Sequence, residues 1–572
     1  MRLLDHFQRL ADWYPSASTP DLAQIAAALC CSERNTRLLL RRMQEQGWID
    51  WQPGNGRGHR SSLTLLQDHE NLRLQRLHHL LADGKLEAAF DGLPSAGRER
   101  LKQSLPGYLG SCRAGSLRMP FYRPLHALDA IHINRRTEQH IIMQICAGLT
   151  EYDRASEQVI PALAHRWDAS ADGRCWEFTL RPGLHFHDGR PVRAEDVVYT
   201  LQRARDTNGP YRAMFAHLAS ITGTERSVKL QLNKPDHLLL HLLAHHAAMI
   251  VPTDDDKRTD FTTLPIGAGP FRLIRNNEHR ATLAAFDGYF RERALLDEID
   301  LWVVPHGSPL PEVDLHLAHA SPDQVPAPDD SWSRIRALEQ GCDLVMLNPA
   351  RAEFSTPAAR LAIGNWLRPA AAELAARETR PMAFGMLPQW NHLPEKKTIK
   401  APALPAHLEV VTYELDSHIA LTHCVAARLR EAGADVSIHI LPFPEFGPYG
   451  WRDWADVVIA GDVLDNDMEF GLYSWLAGES LVKQMMDTAE RNWLAKTSTK
   501  IAAEADATKR AALIEACFAR MVKQAWILPM RHTRHGIDYG PQLGGVTLAR
   551  CGWMDFRKLW LRPGSNQNSF HQ

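Results

Sequence analysis

A helix predicted near the start of the chain carries guanidinium groups along one side. Each helical residue advances about 100° around the axis, so the polar side holds Arg34, Asn35, Arg37, Arg41 and Arg42. The opposite side holds Thr36, Leu39, Leu40 and Met43. A guanidinium group can bind phosphate or the acceptor edge of guanine, and an asparagine amide can pair with adenine. This chemistry suits a helix that reads the major groove of DNA, although a solvated surface helix would show the same pattern.

Two shorter apolar patterns precede this helix. The first predicts a helix that ends before Pro15, and the second predicts a helix that begins at 19–21, with Thr19 as its cap. After a tight connection at 30–31, Ser32 can cap the third helix, which stops at Gly47. Two short helices joined by a brief turn predict a helix-turn-helix.

A Gly-rich loop between two predicted strands supports this interpretation. The strands cover residues 48–52 and 61–66, and the loop PGNGRGHR between them can lie close to a sugar-phosphate backbone. Its basic side chains belong to Arg57, His59 and Arg60. Residues 32–66 hold six basic and three acidic residues, a local net charge of +3 in a chain whose formal net charge is -2. The segment therefore predicts a winged helix-turn-helix that binds double-stranded promoter DNA.

The length of 572 residues exceeds what one hydrophobic core usually organises. With 23% charged and 45% hydrophobic residues, the chain has ordinary globular composition. After about residue 117, short β-branched or aromatic runs alternate with helical ones, which predicts a mixed α/β domain. We expect residues 1–115 to form an α+β DNA-binding domain with a helical connector at 68–109. Residues 116–563 form the second domain, and the tail after 563 is predicted to be disordered.

The cysteines and the first residues indicate the compartment. Nine scattered cysteines, an odd number without a CxxC pair, suit a reducing environment. Asp5, Arg9 and Asp12 interrupt the stretch where an export signal would need apolar residues. The most apolar segment, 237–252, contains four histidines and is too short to cross a bilayer. We therefore expect a soluble cytoplasmic protein without a membrane partner.

Two motifs of the second domain resemble extracytoplasmic solute-binding proteins of the dipeptide and oligopeptide type. They are LRPGLHFHDG at 180–189 and PIGAGPF at 265–271. The stretches WILP at 526–529 and GWMDF at 552–556 look like that family's late return to its first lobe. The resemblance implies a two-lobed α/β domain of the periplasmic-binding-protein-like type II class. Lobe I would cover about 116–305 and 527–563, and lobe II about 306–526.

The whole order of parts, including the connecting FYRPL at 121–125, resembles the SgrR family of cytoplasmic transcriptional regulators. The resemblance implies a regulator that converts capture of a small metabolite into altered transcription. Sugar-phosphate stress is the best-known setting of the family, so a sugar phosphate or a related solute is the expected ligand. Residues 68–109 are the expected transmitter between the two functions, and RNA polymerase is a further candidate partner.

An acidic residue at the end of a predicted strand is the first candidate for the ligand pocket. The strand runs through ADVVIAGD at 455–462 and ends at Asp462. In the peptide-binding relatives an aspartate at the matching place pairs with the ligand's α-amine, and Asp465 is the second candidate. Asp462 could equally cap the helix that follows.

Other patterns predict neither a metal site nor an enzyme. His241 and His245 have the i, i+4 spacing of a helical metal pair, but the HExxH arrangement is absent. The sequence contains no GxSxG elbow and no catalytic cysteine signature, so we expect no catalytic residue and no cofactor. Two alternatives remain: a solute-binding component of an ABC-type transport system, and an enzyme that acts on peptides or sugars in the same cleft.

Overall fold

A computed structural model describes residues 2–14, 17–54, 61–67, 72, 115–303, 315–317, 331–391 and 401–562. The chain divides into two compact units, Met1–Tyr108 and Leu109–Gln572. The predicted connector at 68–109 and the tail after 563 lie outside the described residues, apart from residue 72. No helix in the described part of the chain has the length and apolarity that a bilayer span requires.

Three helices form the core of the amino-terminal unit: α1 (Arg2–Trp13), α2 (Leu22–Ala28) and α3 (Glu33–Glu45). The fully buried side chains of these helices include Phe7, Leu10, Ile25 and Met43, and Leu29, the residue after α2, is also fully buried. The predicted cap Thr19 is wrong. Asp21 caps α2 instead, because its carboxylate accepts the backbone N–H of Gln24 at 2.7 Å while the Gln24 side chain accepts the N–H of Asp21.

A two-stranded antiparallel sheet completes this unit. Strands β1 (Ile49–Gln52) and β2 (Ser62–Leu65) are paired from Ile49 opposite Leu65 to Gln52 opposite Ser62. Ile49 and Leu63 point into the helical core, where both are almost completely buried. Each strand thus buries one side chain, while the others are half-buried or exposed. Residues 55–60, which hold Arg57, His59 and Arg60, lie outside the described residues.

The first lobe of the second unit contains several sheets. One has the order β10-β11-β12-β3, formed by β10 (Phe271–Asn276), β11 (Arg280–Ala285), β12 (Glu298–Val303) and β3 (Ser116–Phe121). Another is β6-β7-β9-β8, formed by β6 (Ala164–Ala169), β7 (Cys175–Leu180), β9 (Ser227–Leu232) and β8 (Leu218–Thr224). Smaller pairings join β4 (Thr150–Asp153) to β5 (Gln158–Pro161), β21 (Leu543–Gly544) to β22 (Trp560–Leu561), and β20 (Arg534–Tyr539) to β13 (Leu315–Leu317) and β14 (Ser333–Leu338).

The second lobe is built on one five-stranded sheet. Its order is β17-β16-β18-β15-β19, formed by β17 (Asp435–Leu441), β16 (His407–Tyr413), β18 (Val457–Val463), β15 (Gly341–Leu347) and β19 (Leu528–Arg531). All seven residues of β15 are buried, as expected for a strand covered on both faces.

The helices of the second unit pack against these sheets or against one another. They are α4 (Arg136–Ile145), α5 (Ala194–Asp206), α6 (Arg212–Phe215), α7 (Leu239–Leu242), α8 (Pro357–Arg377), α9 (Asp416–Glu431), α10 (Phe443–Phe446), α11 (Met468–Ala477), α12 (Leu481–Gln484), α13 (Thr488–Ala503) and α14 (Ala507–Lys523). Short 3-10 turns cover His246–Ala248, Asp255–Lys257, Ala352–Phe354, Pro388–Trp390, Gly450–Asp453 and Phe556–Lys558.

The chain passes between the lobes at places that differ from the predicted limits near 305 and 527. Strands β14 and β20 pair with each other, and Ile537 packs in the core of the first lobe. Strand β19, by contrast, pairs with β15, and Leu528 and Met530 complete the core of the second lobe. The crossings therefore fall at 339–340 and 532–533, because the WILP segment closes the second sheet before the chain returns.

The two motifs that carried the resemblance contact each other. The backbone N–H of His187 donates to the carbonyl of Gly267 at 2.9 Å, and its Nε2 lies 3.0 Å from the carbonyl oxygen of Gly269. A Cβ at Gly267 or Gly269 would lie 2.2 or 2.6 Å from the carbonyl oxygen of Ile145, which leaves room only for glycine. The glycines and His187 therefore have a structural role in the first lobe.

Candidate nucleic-acid interface and ligand cleft

Helix α3 separates its buried and exposed sides as its sequence predicts. Ser32 caps it, and Thr36, Leu39, Leu40 and Met43 are buried. The exposed side holds Arg34, Asn35, Arg37, Arg41 and Arg42, which we call the arginine face. Arg37 lies 3.4 Å from Glu33 and Arg41 lies 2.9 Å from Glu45, and both pairs are well exposed. Such pairs are weak, so these guanidinium groups can exchange their partners for phosphates.

The arginine face also contains an apolar residue that the sequence analysis did not select. Leu38 is 54% exposed, although its neighbours Leu39 and Leu40 are buried. At about 100° per residue it lies between Arg34 and Arg42. Leucine is neutral toward phosphate, but an apolar side chain can contact the 5-methyl group of thymine in the major groove. Helical angle alone could have revealed this position.

A cavity of about 270 Å³ lies between the two lobes of the second unit. The first lobe contributes Arg135, Arg136 and Tyr211 to its wall, and the second lobe contributes Tyr413, Phe443, Tyr449, Asp462, Asp465 and Trp475. We call this cavity the cleft. Aromatic rings and charged groups share the wall, a mixture that binds a small polar molecule.

Asp462 and Asp465, the two acidic residues selected from sequence, both line the cleft. The Asp462 carboxylate accepts hydrogen bonds from Trp475 Nε1 at 2.6 Å and from the backbone N–H of Val463 at 2.9 Å. Burial raises the pKa of Asp462 to about 6 and also raises that of Asp465. The alternative that Asp462 caps the following helix is wrong, because Asp467 caps α11 through the N–H of Phe470.

Most charged groups around the cleft have partners inside the protein. Arg123 binds Glu138 at 2.6 Å, and Arg136 lies 2.8 Å from Glu339 at the first crossing between the lobes. Burial alone would raise the pKa of Glu339, but the charge of Arg136 lowers it below its ordinary value. These ion pairs hold side chains of the cleft wall in place, and each charge is compensated by its partner within the protein.

Arg135 differs from these arginines. It has no carboxylate within ion-pair distance in the described part of the chain; its Cζ lies 4.4 Å from the ring centre of Phe443, and its Nη1 donates to His126 Nε2 at 3.0 Å. Burial and the charge of Arg123 lower the pKa of Arg135. A half-buried cation without a counter-charge favours an anionic group of a ligand. The sequence analysis missed Arg135, whose signal in the sequence is the Arg-Arg pair at the start of α4.

The two histidines with the i, i+4 spacing of a helical metal pair, which the sequence analysis discounted as a metal site, make other contacts. His241 Nδ1 lies 2.5 Å from the Asp467 carboxylate. Burial lowers the pKa of His245 to about 3, and its ring contacts those of His246 and Phe470. No group of three or more residues in the described ranges has the arrangement of a metal site.

Two family models match the chain. The model described as "Sugar transport-related sRNA regulator N-term" matches residues 2–114, and the model described as "Bacterial extracellular solute-binding proteins, family 5 Middle" matches residues 158–364. Among solved structures, a dipeptide binding protein from Pseudoalteromonas sp. SM9913 in complex with Met-Leu has a TM-score of 0.65 at 17% identity, over 78% of this chain and all of its own. The Escherichia coli murein tripeptide binding protein MppA has a TM-score of 0.64 at 18% identity, over 79% of this chain and 99% of its own. At these identities the likeness shows the fold alone, and the second unit has the family 5 solute-binding fold.

Relatives that match over nearly the whole chain are more informative. The HTH-type transcriptional regulator SgrR of Yersinia pestis (strain Pestoides F) is 31% identical, over 98% of this chain and 99% of its own length. SgrR of Salmonella typhi is 30% identical over 95% of both chains. These matches span both the segment of the amino-terminal family model and that of the solute-binding family model. The chain therefore belongs to the SgrR family of HTH-type transcriptional regulators.

Proposed function

We propose that the protein is a cytoplasmic transcriptional regulator that binds promoter DNA through its amino-terminal unit and senses a small metabolite in its cleft. The observation that carries the proposal is the arginine face, which leaves several guanidinium groups exposed on a helix whose opposite side forms the core. Helices α1–α3 and strands β1 and β2 would form a winged helix-turn-helix, with α3 in the major groove. Arg57, His59 and Arg60 would contact the backbone or minor groove beside it.

Chemistry in the cleft supports a small charged solute as the signal. Arg135 offers a positive charge without a carboxylate partner among the described residues, and Asp462 and Asp465 offer acceptors on the other lobe. A sugar phosphate or a related solute, the class that the family resemblance suggests, has an anionic group for Arg135 and hydroxyl groups for the carboxylates. Because the walls come from both lobes, such a ligand would bind the closed arrangement more tightly than an open one.

That difference in affinity is what would turn binding into a signal. A ligand shifts an equilibrium between two arrangements only by its differential affinity for them. We infer that the closed arrangement changes the affinity of the amino-terminal unit for DNA, with residues 68–109 as the transmitter. RNA polymerase would then be the further partner whose access to the promoter changes.

Fluorescence anisotropy tests the DNA-binding part of the proposal. Double-stranded DNA selected from random sequence by the wild-type chain serves as the probe. Arg37→Ala and Arg57→Ala should each weaken binding and reduce the salt slope by about 1 for each phosphate contact that is lost. Arg166→Ala, which removes an exposed arginine of the second unit, is the matched control. Unchanged affinity in both interface variants would contradict the proposal.

A further inference from the structure

Backbone hydrogen bonds join the two lobes of the second unit directly. In the first lobe, the N–H of His237 donates to the carbonyl of Ala502, a residue of α13, at 2.8 Å. From the second lobe, the N–H of Glu479, two residues after α11, donates to the carbonyl of Pro210 at 2.7 Å. Because the donor and the acceptor of each bond belong to different lobes, these bonds break when the lobes separate. The two amides therefore report closure.

An ion pair also crosses from one lobe to the other. His241 lies in α7 of the first lobe, and Asp467 is the cap of α11 in the second. His241 Nδ1 is 2.5 Å from the Asp467 carboxylate, and the side chains are only 19% and 11% exposed. The same carboxylate accepts the N–H of Phe470, whose ring lies nearly parallel to the imidazole with ring centres 6.3 Å apart. The pair is therefore shielded from most of the solvent.

The proton on His241 decides how strongly this pair holds. A protonated imidazole is a cation that attracts Asp467, whereas a neutral imidazole offers at most a hydrogen bond. Burial alone would lower the pKa of His241, but the hydrogen bond and the charge of Asp467 raise it above its ordinary value of 6.5. In an open arrangement the imidazole would lose this partner. The closed arrangement therefore takes up a proton on His241 more readily than an open one.

The nearest other charges around His241 form a pair of their own. Glu469 of α11 favours the protonated imidazole, and Arg510 of α14 opposes it. Arg510 Nε lies 2.9 Å from the Glu469 carboxylate, and a second nitrogen of the same guanidinium donates to it at 3.2 Å. The two charges largely cancel, which leaves Asp467 as the dominant partner.

The remaining titratable neighbours are neutral or paired. On α7 and just after it, burial lowers the pKa of His245 to about 3, so that this ring is uncharged near pH 7. The Tyr152 ring of β4 lies 6.4 Å from that of His241, and burial raises the pKa of its phenol. Arg550 and Glu157, which act on Tyr152, lie 2.6 Å apart.

We propose that His241 and Asp467 form a pH-sensitive latch that holds the two lobes closed while His241 is protonated. As the pH rises, the ion pair becomes a weaker contact, and the equilibrium shifts towards the open arrangement. Since the pKa is raised in the closed arrangement, the latch is fully formed below the ordinary pKa of 6.5 and is lost as the pH rises through the raised value. The latch does not need a ligand; only its effect on DNA binding rests on the proposed function.

Hydrogen–deuterium exchange of the full chain, without DNA or ligand, tests the latch. Mass spectrometry follows the amides of His237 and Glu479 from about pH 6 to about pH 9, which spans the ordinary pKa of histidine. Each exchange rate is divided into the intrinsic rate at the same pH, which gives a protection factor. In the wild type, both protection factors should be at least about 5-fold greater at the lower pH, the small end of a typical coupling between sites.

Variants of the latch should lose this response. His241→Gln and Asp467→Asn should each show protection of the two amides that no longer depends on pH. Asparagine caps helices well, so Asp467→Asn preserves the start of α11. His423→Gln, which replaces an exposed histidine of α9, is the matched control and should respond to pH as the wild type does.

Three outcomes would overturn the inference. The first is protection that does not depend on pH in the wild type. The second is a pH dependence that persists in both His241→Gln and Asp467→Asn. The third is an equal loss of protection in the buried strand β15, because the whole second unit would then unfold rather than open. The DNA-binding measurements do not involve His241, so failure of the latch leaves the proposed regulator function standing.

Discussion

The Nε1 of Trp475 donates a hydrogen bond of 2.6 Å to the carboxylate of Asp462. Trp475 lies in α11, and Asp462 is the next-to-last residue of β18. The hydrogen bond therefore holds the Asp462 side chain against the helix that follows the strand. No cation lies within ion-pair distance of Asp462 in the part of the chain described. The hydrogen bonds from this indole and from the backbone N–H of Val463 do not offset the loss of hydration, and the pKa of the carboxyl rises to about 6.

Because of the raised pKa of Asp462, the free energy of unfolding of the second unit should depend on pH. Since the folded pKa of about 6 exceeds the ordinary value of 3.8, the folded state binds more protons between these values, and stability falls as pH rises through that window. Asp462→Asn does not titrate and should raise the free energy of unfolding at pH 7 by about 1–3 kcal/mol. The two proteins should be equally stable near pH 4. Thermal unfolding at both pH values checks this, and an equal gain at both would contradict it.

The acidic residues that pair with the arginine face should weaken its binding to DNA. Glu33→Gln removes the partner that lies 3.4 Å from Arg37, and with it a negative charge near the DNA phosphates. We expect tighter DNA binding by about 0.2–1 kcal/mol, the range typical of exposed pairs. Anisotropy titrations at low and high salt measure the gain, which should shrink as salt screens the charges. Glu157→Gln, which breaks an exposed pair with Arg550 in the second unit, should leave the affinity unchanged.

Local patterns predicted the amino-terminal unit well, because they depend on residues close in sequence. The buried side of α3 at Thr36, Leu39, Leu40 and Met43 follows from helical periodicity alone. The error at the cap of α2 arose because Thr19 and Asp21 are both good capping residues. Only the side-chain bond between Asp21 and Gln24 decides between them.

The cleft could be predicted only in part, because its walls join residues that are far apart in sequence. Asp462 could be predicted from the sequence, because it is an acidic residue at the end of a predicted strand. Arg135 and Arg136 lie more than 300 residues before it, and no local pattern links them to it. The lobe limits failed for a related reason. The pairing of β19 with β15 joins segments almost 200 residues apart, and sequence motifs do not report such pairings.

Loss of the buried ion pair at the base of the cleft should be costly. Arg531 is completely buried, its Nε donates to Asp343 at 2.7 Å, and its Nη1 donates to Glu378 at the same distance. Asp343→Ala would leave the Nε side of this buried guanidinium without its carboxylate, with Glu378 as the one remaining ion-pair partner among the described residues, and we expect a loss of about 3 kcal/mol in stability. Chemical denaturation measures the loss. Asp168→Ala, which breaks an exposed pair with Arg166, should cost less than about 1 kcal/mol, and equal costs would contradict the argument.

We expect Leu38 to contact the 5-methyl group of a thymine, and so to contribute to sequence specificity rather than to sequence-independent DNA binding. Replacing a thymine of the selected DNA by uracil removes only the 5-methyl group. At a position that Leu38 contacts, uracil should weaken wild-type binding by about 0.8 kcal/mol, the value of one buried methyl group. The same replacement should have no effect on Leu38→Ala, whereas the exposed control Leu295→Ala should respond as the wild type does. If every thymine tolerates uracil in the wild type while Arg37→Ala still weakens binding, Leu38 makes no base contact and only the arginines of α3 carry recognition.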